Sequence, residues 1–391
     1  MPTEVEIHGH CDPRFAAVRE AFAEGFRSRD EVGAAVAVVL DGKLVVDLWA
    51  GHADQARTRP WQRDTIVNVY SCTKGMTALC AHRLVERGQL DLDAPVSRYW
   101  PEFAEAGKGH MPTRWLLSHR SALPAVRELL APEALYDWEA MCAALAAQAP
   151  WWEAGTAHGY HALTFGWLVG ELVRRLTGRS LGTYFGDEIA RPLGLDFHIG
   201  LPDAEHHRVA ELSEIPTDQI DPEAIGLAQV ILSDPQGMSA LALLNPPALA
   251  LGPNTPEWRR AEIPGANGHG GARDLAMVYG ALARGGMLDG VEVLKPESVA
   301  RCAVEQSFGP DLVLQVTTRF GLGFMLPQER RDARFGASPR AFGHPGAGGS
   351  LGFADPDHRI GFGYVMNRMG PHILLDPRAI ALSEAAYEGI C

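Results

Sequence analysis

The chain has 391 residues, 46% of them hydrophobic, enough to bury a large core as one big domain or two interlocked ones. A formal net charge of -13 with no cluster of cations excludes nucleic acid or an anionic membrane as the main partner, because phosphate binding needs grouped positive charge. No run of about 18 apolar residues reads as a membrane span, and the opening MPTEVEIHGHCDPRF lacks the basic-then-apolar order of a secretory signal, so the expected location is cytoplasmic.

In chain order, the first clear element is GAAVAVVLDGKLVVDLWAG, whose β-rich runs flank Asp41-Gly42, a favoured two-residue turn, and predict a β-hairpin. From Cys72 to Gly88 the pattern turns helical, with Met76, Leu79, Cys80 and Leu84 at three- and four-residue spacing. Further helices are predicted at RWLLSH, at Trp138 to Gln148, and at Leu163 to Thr177, where Trp167, Leu168, Leu172 and Leu176 share a face. Between about 198 and 265 the chain is rich in proline and short helical pieces, which predicts excursions over a pocket. The last third returns to strands at GLGFML, GGSLGFADP and RIGFGYVMN, then a helix from Pro377 to Glu388. A hairpin at one end and strands at the other predict one antiparallel sheet closed by both termini, with a mostly helical region between them. The fold class is therefore α+β.

Several chemistries fall away early. Six cysteines show no paired CxxC spacing and read as reduced core thiols. The pairs His8/His10 and His206/His207 lack ligand companions at helical spacing, and there is no HExxH, so no metal is expected. Gly42-Lys43 and Gly107-Lys108 are not followed by Ser or Thr, and the 346–352 loop lacks a GxGxxG register, so no phosphate-bearing cofactor is expected.

The stretch NVYSCTKGMTALC places Ser71 and Lys74 three residues apart at a helix start. Serine there can simply cap the helix. The same geometry suits a nucleophile, because the dipole of the first turn favours negative charge on the oxygen and the side chain at i+3 lies on the same face. Only four lysines, Lys43, Lys74, Lys108 and Lys295, occur among 35 basic residues. Arginine cannot give up its proton, whereas a desolvated lysine can act as a neutral base, so a lysine in this place carries weight. A proton shuttle and an oxyanion hole are also needed. Tyr160, in the Gly-flanked WWEAGTAHGYHALTFG, is either a core aromatic or that shuttle; the glycine-rich FGHPGAGGSLGFADP is either a plain turn or a source of backbone N–H donors.

Ser71-Cys72-Thr73-Lys74, Tyr160-His161-Ala162 and His344-Pro345-Gly346 stand in the order and approximate spacing of the three motifs of serine β-lactamases and penicillin-binding proteins. With their flanks, VNVYSCTKGMTALCAHRLVERGQLDLDAPVSRYWPEF, LLSHRSALP and GHGGARDLAMVYGALARGG among them, they most resemble family VIII carboxylesterases, from about residue 12 to 385. The resemblance implies a class C β-lactamase-like fold, with residues 1–66 and 266–391 forming a discontinuous sheet domain and 67–265 a mostly helical one. It also implies acyl transfer through an acyl-enzyme on Ser71, with Lys74 and Tyr160 as base and relay. The oxyanion would sit between the N–H groups of Ser71 and Ala347, and His344 and Gly346 would face the substrate. The implied partner is a small-molecule ester, with no cofactor; nothing in the sequence signals an oligomeric state.

Departures keep other readings open. Ala162 replaces the Asn of YxN, and His344-Pro345-Gly346 replaces Lys-Thr-Gly, so a cation for a substrate carboxylate is missing; no Ser-Asp-Asn element occurs. β-Lactamase or peptidase action, acyl transfer to an alcohol, and a non-catalytic binding module of the same fold remain alternatives. Gly348-Gly349-Ser350-Leu351-Gly352 also matches GxSxG, the nucleophile elbow of α/β-hydrolases, with His358 and His372 downstream. Strand-like sequence follows Ser350 where that elbow needs a helix, so Ser350 is read as a decoy.

Overall fold

The computed structural model of the protein describes residues 5–215, 222–247 and 252–390; the rest, including the first residues of the N-terminal stretch, parts of the proline-rich segment and Cys391, lie outside the described residues. Six strands form one antiparallel sheet: β1 (Ile7–Cys11), β2 (Gly33–Leu40), β3 (Lys43–Gly51), β4 (Phe342–Pro345), β5 (Leu351–Asp355) and β6 (Ile360–Met366), in the order β1-β3-β2-β6-β5-β4. The β2–β3 hairpin turns at Asp41 (φ 49°) and Gly42 (φ 81°), both left-handed, as a tight turn matched to strand twist requires. β2 then pairs with β6, Ala34 opposite Met366 and Leu40 opposite Ile360, so the two ends of the chain share one sheet.

Eight helices place the site. They are α1 (Ala16–Ser28), α2 (Thr73–Glu86), α3 (Trp138–Ala147), α4 (Thr164–Thr177), α5 (Pro222–Ser233), α6 (Met238–Leu244), α7 (Ala272–Ala283) and α8 (Pro377–Glu388). On one side α1 and α8 pack together; α7 lies across β2, β5 and β6. The approach of α7 explains the period-2 glycines of β6. A Cβ at Gly361 would come within 2.1 Å of the Gly280 nitrogen, and one at Gly363 within 2.1 Å of the Ala272 oxygen, so neither position admits a side chain. α2 is buried on nearly all sides, from Thr73 through His82, and packs against α4. A helix enclosed this way loses the one-sided pattern that surface helices show. α4 ends at Gly178 in the left-handed conformation, the usual stop.

Several elements differ from expectation. GLGFML is not a strand: Gly323 at φ 86° breaks the extended path, only Met325 bridges to Gly343, and the true strand lies just before it at Thr317–Phe320. RWLLSH forms only the one-turn helix Arg114–Leu117. β1, α1 and α7 escape the sequence reading. Among the described residues no helix is long and apolar enough to cross a membrane.

Candidate active site

Ser71 sits between a two-residue strand, Val67–Asn68, and α2. The residue before it, Tyr70, is held at φ 44°, a conformation that costs a bulky residue on the order of 1–3 kcal/mol and persists only when neighbours enforce it. The Thr73 hydroxyl does so by donating to the Tyr70 carbonyl at 2.5 Å while accepting the Gly268 N–H at 2.8 Å. Ser71 is not a helix cap: Cys72 takes that position, without a side-chain cap bond. The Ser71 Oγ instead faces Lys74 and Tyr160.

Lys74 is fully buried, and its Nζ has three neighbours: the carbonyls of Ala162 and Gly265, each at 2.7 Å, and Ser71 Oγ at 3.0 Å. Carbonyl oxygens can only accept, so two N–H bonds are committed to them. The third direction points at Ser71. Loss of the proton there leaves both carbonyl bonds intact and turns a lone pair toward the serine. Burial pushes the Lys74 pKa well below the ordinary lysine value, which favours that neutral amine. Tyr160, also buried, donates its O–H to Ser71 Oγ at 2.7 Å. Burial drives its pKa above the usual phenol value, outweighing the Ser71 hydrogen bond, so the phenol stays protonated and serves as a donor at rest.

The Tyr160 loop is pinned from behind. Asp311 Oδ1 accepts the N–H groups of Tyr160, Val313 and Leu314 at 3.0, 2.9 and 2.9 Å. The His161 N–H donates to His119 Nδ1 at 3.1 Å, and His161 Nε2 lies 2.7 Å from the Ser121 hydroxyl. The segment 115–135 contributes no residue to the cavity lining and does this supporting work. Asp311, Gly265 and the carbonyl of Ala162 were invisible to motif reasoning, since two of the three contribute only main-chain atoms.

Strand β4 delivers His344 and Gly346 to the other side of the site, and the turn 346–350 is clamped. The Gly346 N–H donates to Ser350 O at 2.7 Å, while Gly348 O accepts from Gly370 N at 2.8 Å and from Arg378 Nη2 at 2.9 Å. The backbone N–H groups of Ser71 and Ala347 have no acceptor among the described residues, and both residues line the same cavity. Gly346 ties these two stretches together, since a Cβ there would lie 2.2 Å from the Val69 carbonyl, two residues before Ser71. Gly346→Ala is therefore expected to fold but to push Ala347 out of register, lowering turnover of an ester substrate roughly 100-fold. Steady-state rates beside a circular-dichroism melt check this, and normal turnover would count against it.

The cavity measures about 390 Å³ and is lined largely by apolar side chains. Ile215, Leu227, Ile231, Leu243, Leu244 and Trp258 come from the proline-rich stretch, as expected for an excursion over a pocket, and Leu314, Met325, Ile373 and Leu374 complete the wall. Among the described lining residues there is no Arg, Lys, Asp or Glu. Cys72 points away from it, donating its thiol to the His344 carbonyl at 3.1 Å in the core. Ser350 is buried and outside the lining, and its next residues form β5 rather than a helix, so the GxSxG match lacks the scaffold of an elbow.

The sequence profile of the beta-lactamase family matches residues 18–386. The chain is 39% identical over 374 residues, 95% of this chain and 85% of the relative, to the esterase/beta-lactamase LipL of Mycobacterium tuberculosis. A crystal structure of a penicillin-binding protein homologue from Caulobacter crescentus, 42% identical, superposes with a TM-score of 0.89 over 98% of this chain and 100% of that one. A family VIII carboxylesterase, 43% identical, superposes with a TM-score of 0.87 over 98% and 100% of the two chains. The chain belongs to the beta-lactamase family, whose antiparallel sheet with flanking helices it has, and within that family it groups with the family VIII carboxylesterases.

Proposed function

We propose that this hydrolase is a serine carboxylesterase acting on uncharged esters of short to medium acyl chain, located in the cytoplasm. The observation that carries the reading is the placement of Lys74 Nζ against two carbonyls that can only accept, which leaves its one labile position aimed at Ser71 Oγ. Ser71 Oγ attacks the ester carbonyl as Lys74 takes its proton. The negative oxygen of the tetrahedral intermediate is met by the N–H groups of Ser71 and Ala347. Tyr160 passes the proton held by Lys74 to the departing alkoxide, the C–O bond breaks, and an acyl-Ser71 ester remains. Water then attacks that ester, giving its proton to the same pair; the acyl C–Oγ bond breaks, the pair returns the proton to Ser71 Oγ, and the acid leaves.

Brief incubation with an aryl butyrate, followed by intact mass and peptide mapping, tests this: a butyryl group on Ser71 with release of the phenol is expected. A cephalosporin run in parallel is expected to turn over far more slowly, because no Arg or Lys among the described lining residues waits for its carboxylate. Absence of any adduct together with absence of turnover would sink the reading, and a cephalosporin outpacing the ester would replace it with a β-lactamase.

The relay has its own test. Tyr160→Phe removes a single hydroxyl whose partner is Ser71, so the melt should stay close to wild type while turnover falls roughly 100-fold. Near-normal turnover would reduce Tyr160 to a packing residue.

A further inference from the structure

His344 is 2% exposed and is one of the residues that line the cavity, its ring 5.9 Å from the ring of Tyr160. Its Nε2 is buried without a hydrogen-bond partner. The other nitrogen is fixed: Nδ1 lies 2.7 Å from the carbonyl oxygen of Pro345, which has only lone pairs to offer, so Nδ1 carries the proton. Burial, with the neighbouring Lys74 as a second cause, holds the His344 pKa down to about 3, so the ring is neutral. A neutral ring protonated on Nδ1 presents a bare lone pair at Nε2.

No neighbouring protein donor fills that position. The Tyr160 hydroxyl is committed to Ser71 Oγ, the Cys72 thiol to the main chain of His344, and no Arg or Lys stands among the described lining residues. A buried acceptor left unmet is costly, and the cost is recovered when an incoming group donates to it. Beyond the reacting groups and His344, the polar side chains among the described lining residues are Tyr70, Trp258, whose Nε1–H is spent on Asn68, and His372.

We propose that His344 is a specificity-determining residue whose Nε2 accepts a hydrogen bond from a hydroxyl on the substrate, so that the preferred substrates are otherwise apolar esters carrying one hydroxyl near the scissile carbonyl, in the acyl or the alkoxy chain. The proposal rests on the esterase reading. The same site is expected to discriminate in the other direction, because a substrate carboxylate brings only lone pairs to the same point, and lone pair meets lone pair.

The test compares kcat/KM for ethyl butyrate with that for ethyl α-hydroxybutyrate, ethyl β-hydroxybutyrate, the butyrate monoester of ethylene glycol, and the monoethyl ester of succinate. At least one hydroxylated ester is expected to exceed ethyl butyrate by about 10-fold or more, with the succinate half-ester below it. That ratio, formed within each protein, should fall to about 1 in His344→Phe and in His344→Met; two variants guard against one failing to fold. No preference in the wild type, or a preference surviving both substitutions, overturns the proposal. Nitrogen NMR of histidine-labelled Ser71→Ala protein supplies a readout that needs no catalysis. The Nε2 signal, assigned by its loss in a Ser71→Ala/His344→Phe protein, should be that of an unprotonated nitrogen and should move toward the hydrogen-bonded value when the hydroxylated esters are added. A protonated Nε2, or a signal indifferent to all of them, overturns the proposal. If no ester in the panel is cleaved by the wild type, the esterase reading fails and the nitrogen signal alone decides the role of His344.

Discussion

Ser71→Ala is expected to lower ester turnover by at least about 1000-fold and to abolish the acyl adduct, while Ser350→Ala keeps most of the wild-type rate. The two serines differ in every feature that matters to a nucleophile. Ser71 Oγ opens onto the cavity, accepts the phenol proton of Tyr160 and lies 3.0 Å from an amine. Ser350 is 1% exposed, its Oγ has no partner, and the strand that follows carries no base toward it. The nearby candidate His358 is engaged with Asp355 at 3.0 Å, beyond the far end of β5 from Ser350. Turnover and intact mass of both variants settle the matter; activity lost with Ser350 and kept without Ser71 would replace the mechanism.

Lys74→Arg is expected to be nearly as inactive as Lys74→Ala, again about 1000-fold down, although arginine preserves the charge and this chain uses it freely elsewhere. A guanidinium cannot become a neutral base at any accessible pH. The pH dependence follows from the direction of the shift. Burial lowers the Lys74 pKa, so the amine becomes neutral as pH rises through a value below the ordinary lysine range, and the wild-type rate should rise and then level off there. Tyr160 is shifted the other way and keeps its proton across that window, so its loss should not cut the plateau short. The apparent midpoint belongs to the coupled pair. Rate–pH profiles of the wild type and both variants, with melts to confirm folding, are the measurement. A folded Lys74→Arg protein keeping more than about a tenth of the activity would end the general-base role.

What the sequence disclosed was local chemistry. Asp41-Gly42 announces its hairpin because few dipeptides tolerate two left-handed residues, and Ser71, Lys74 and Tyr160 are legible because side-chain type and spacing carry their meaning. The carbonyls of Ala162 and Gly265 are silent for the opposite reason: every residue has one, and only the packing of α2 against α4 and the 264–265 turn aims these two at an amine. β1 is missed because IHGHC, an edge strand with three exposed residues, has no buried face to alternate with. GLGFML misleads because its apolar content reflects burial, while Gly323 makes it a turn. The wall at 371–374 is a loop whose place is set by its neighbours in space.

The pairing of β2 with β6 also sets a timetable for biosynthesis. Leu40 leaves the ribosome roughly 320 residues before its partner Ile360. At a synthesis rate of about 5–20 residues per second, the hairpin waits some 15 to 60 s with one edge unpaired. An open strand edge is a template for the wrong partner, so the nascent chain is a natural client for chaperones during that interval. The proposed nucleophile is made early and the turn proposed to complete its oxyanion hole late, with Arg378, which holds that turn, made later still. Under the proposed mechanism, a ribosome-stalled chain ending before residue 377 is expected to carry Ser71 and yet resist acylation, because the side chain that holds the 346–350 turn has not been made.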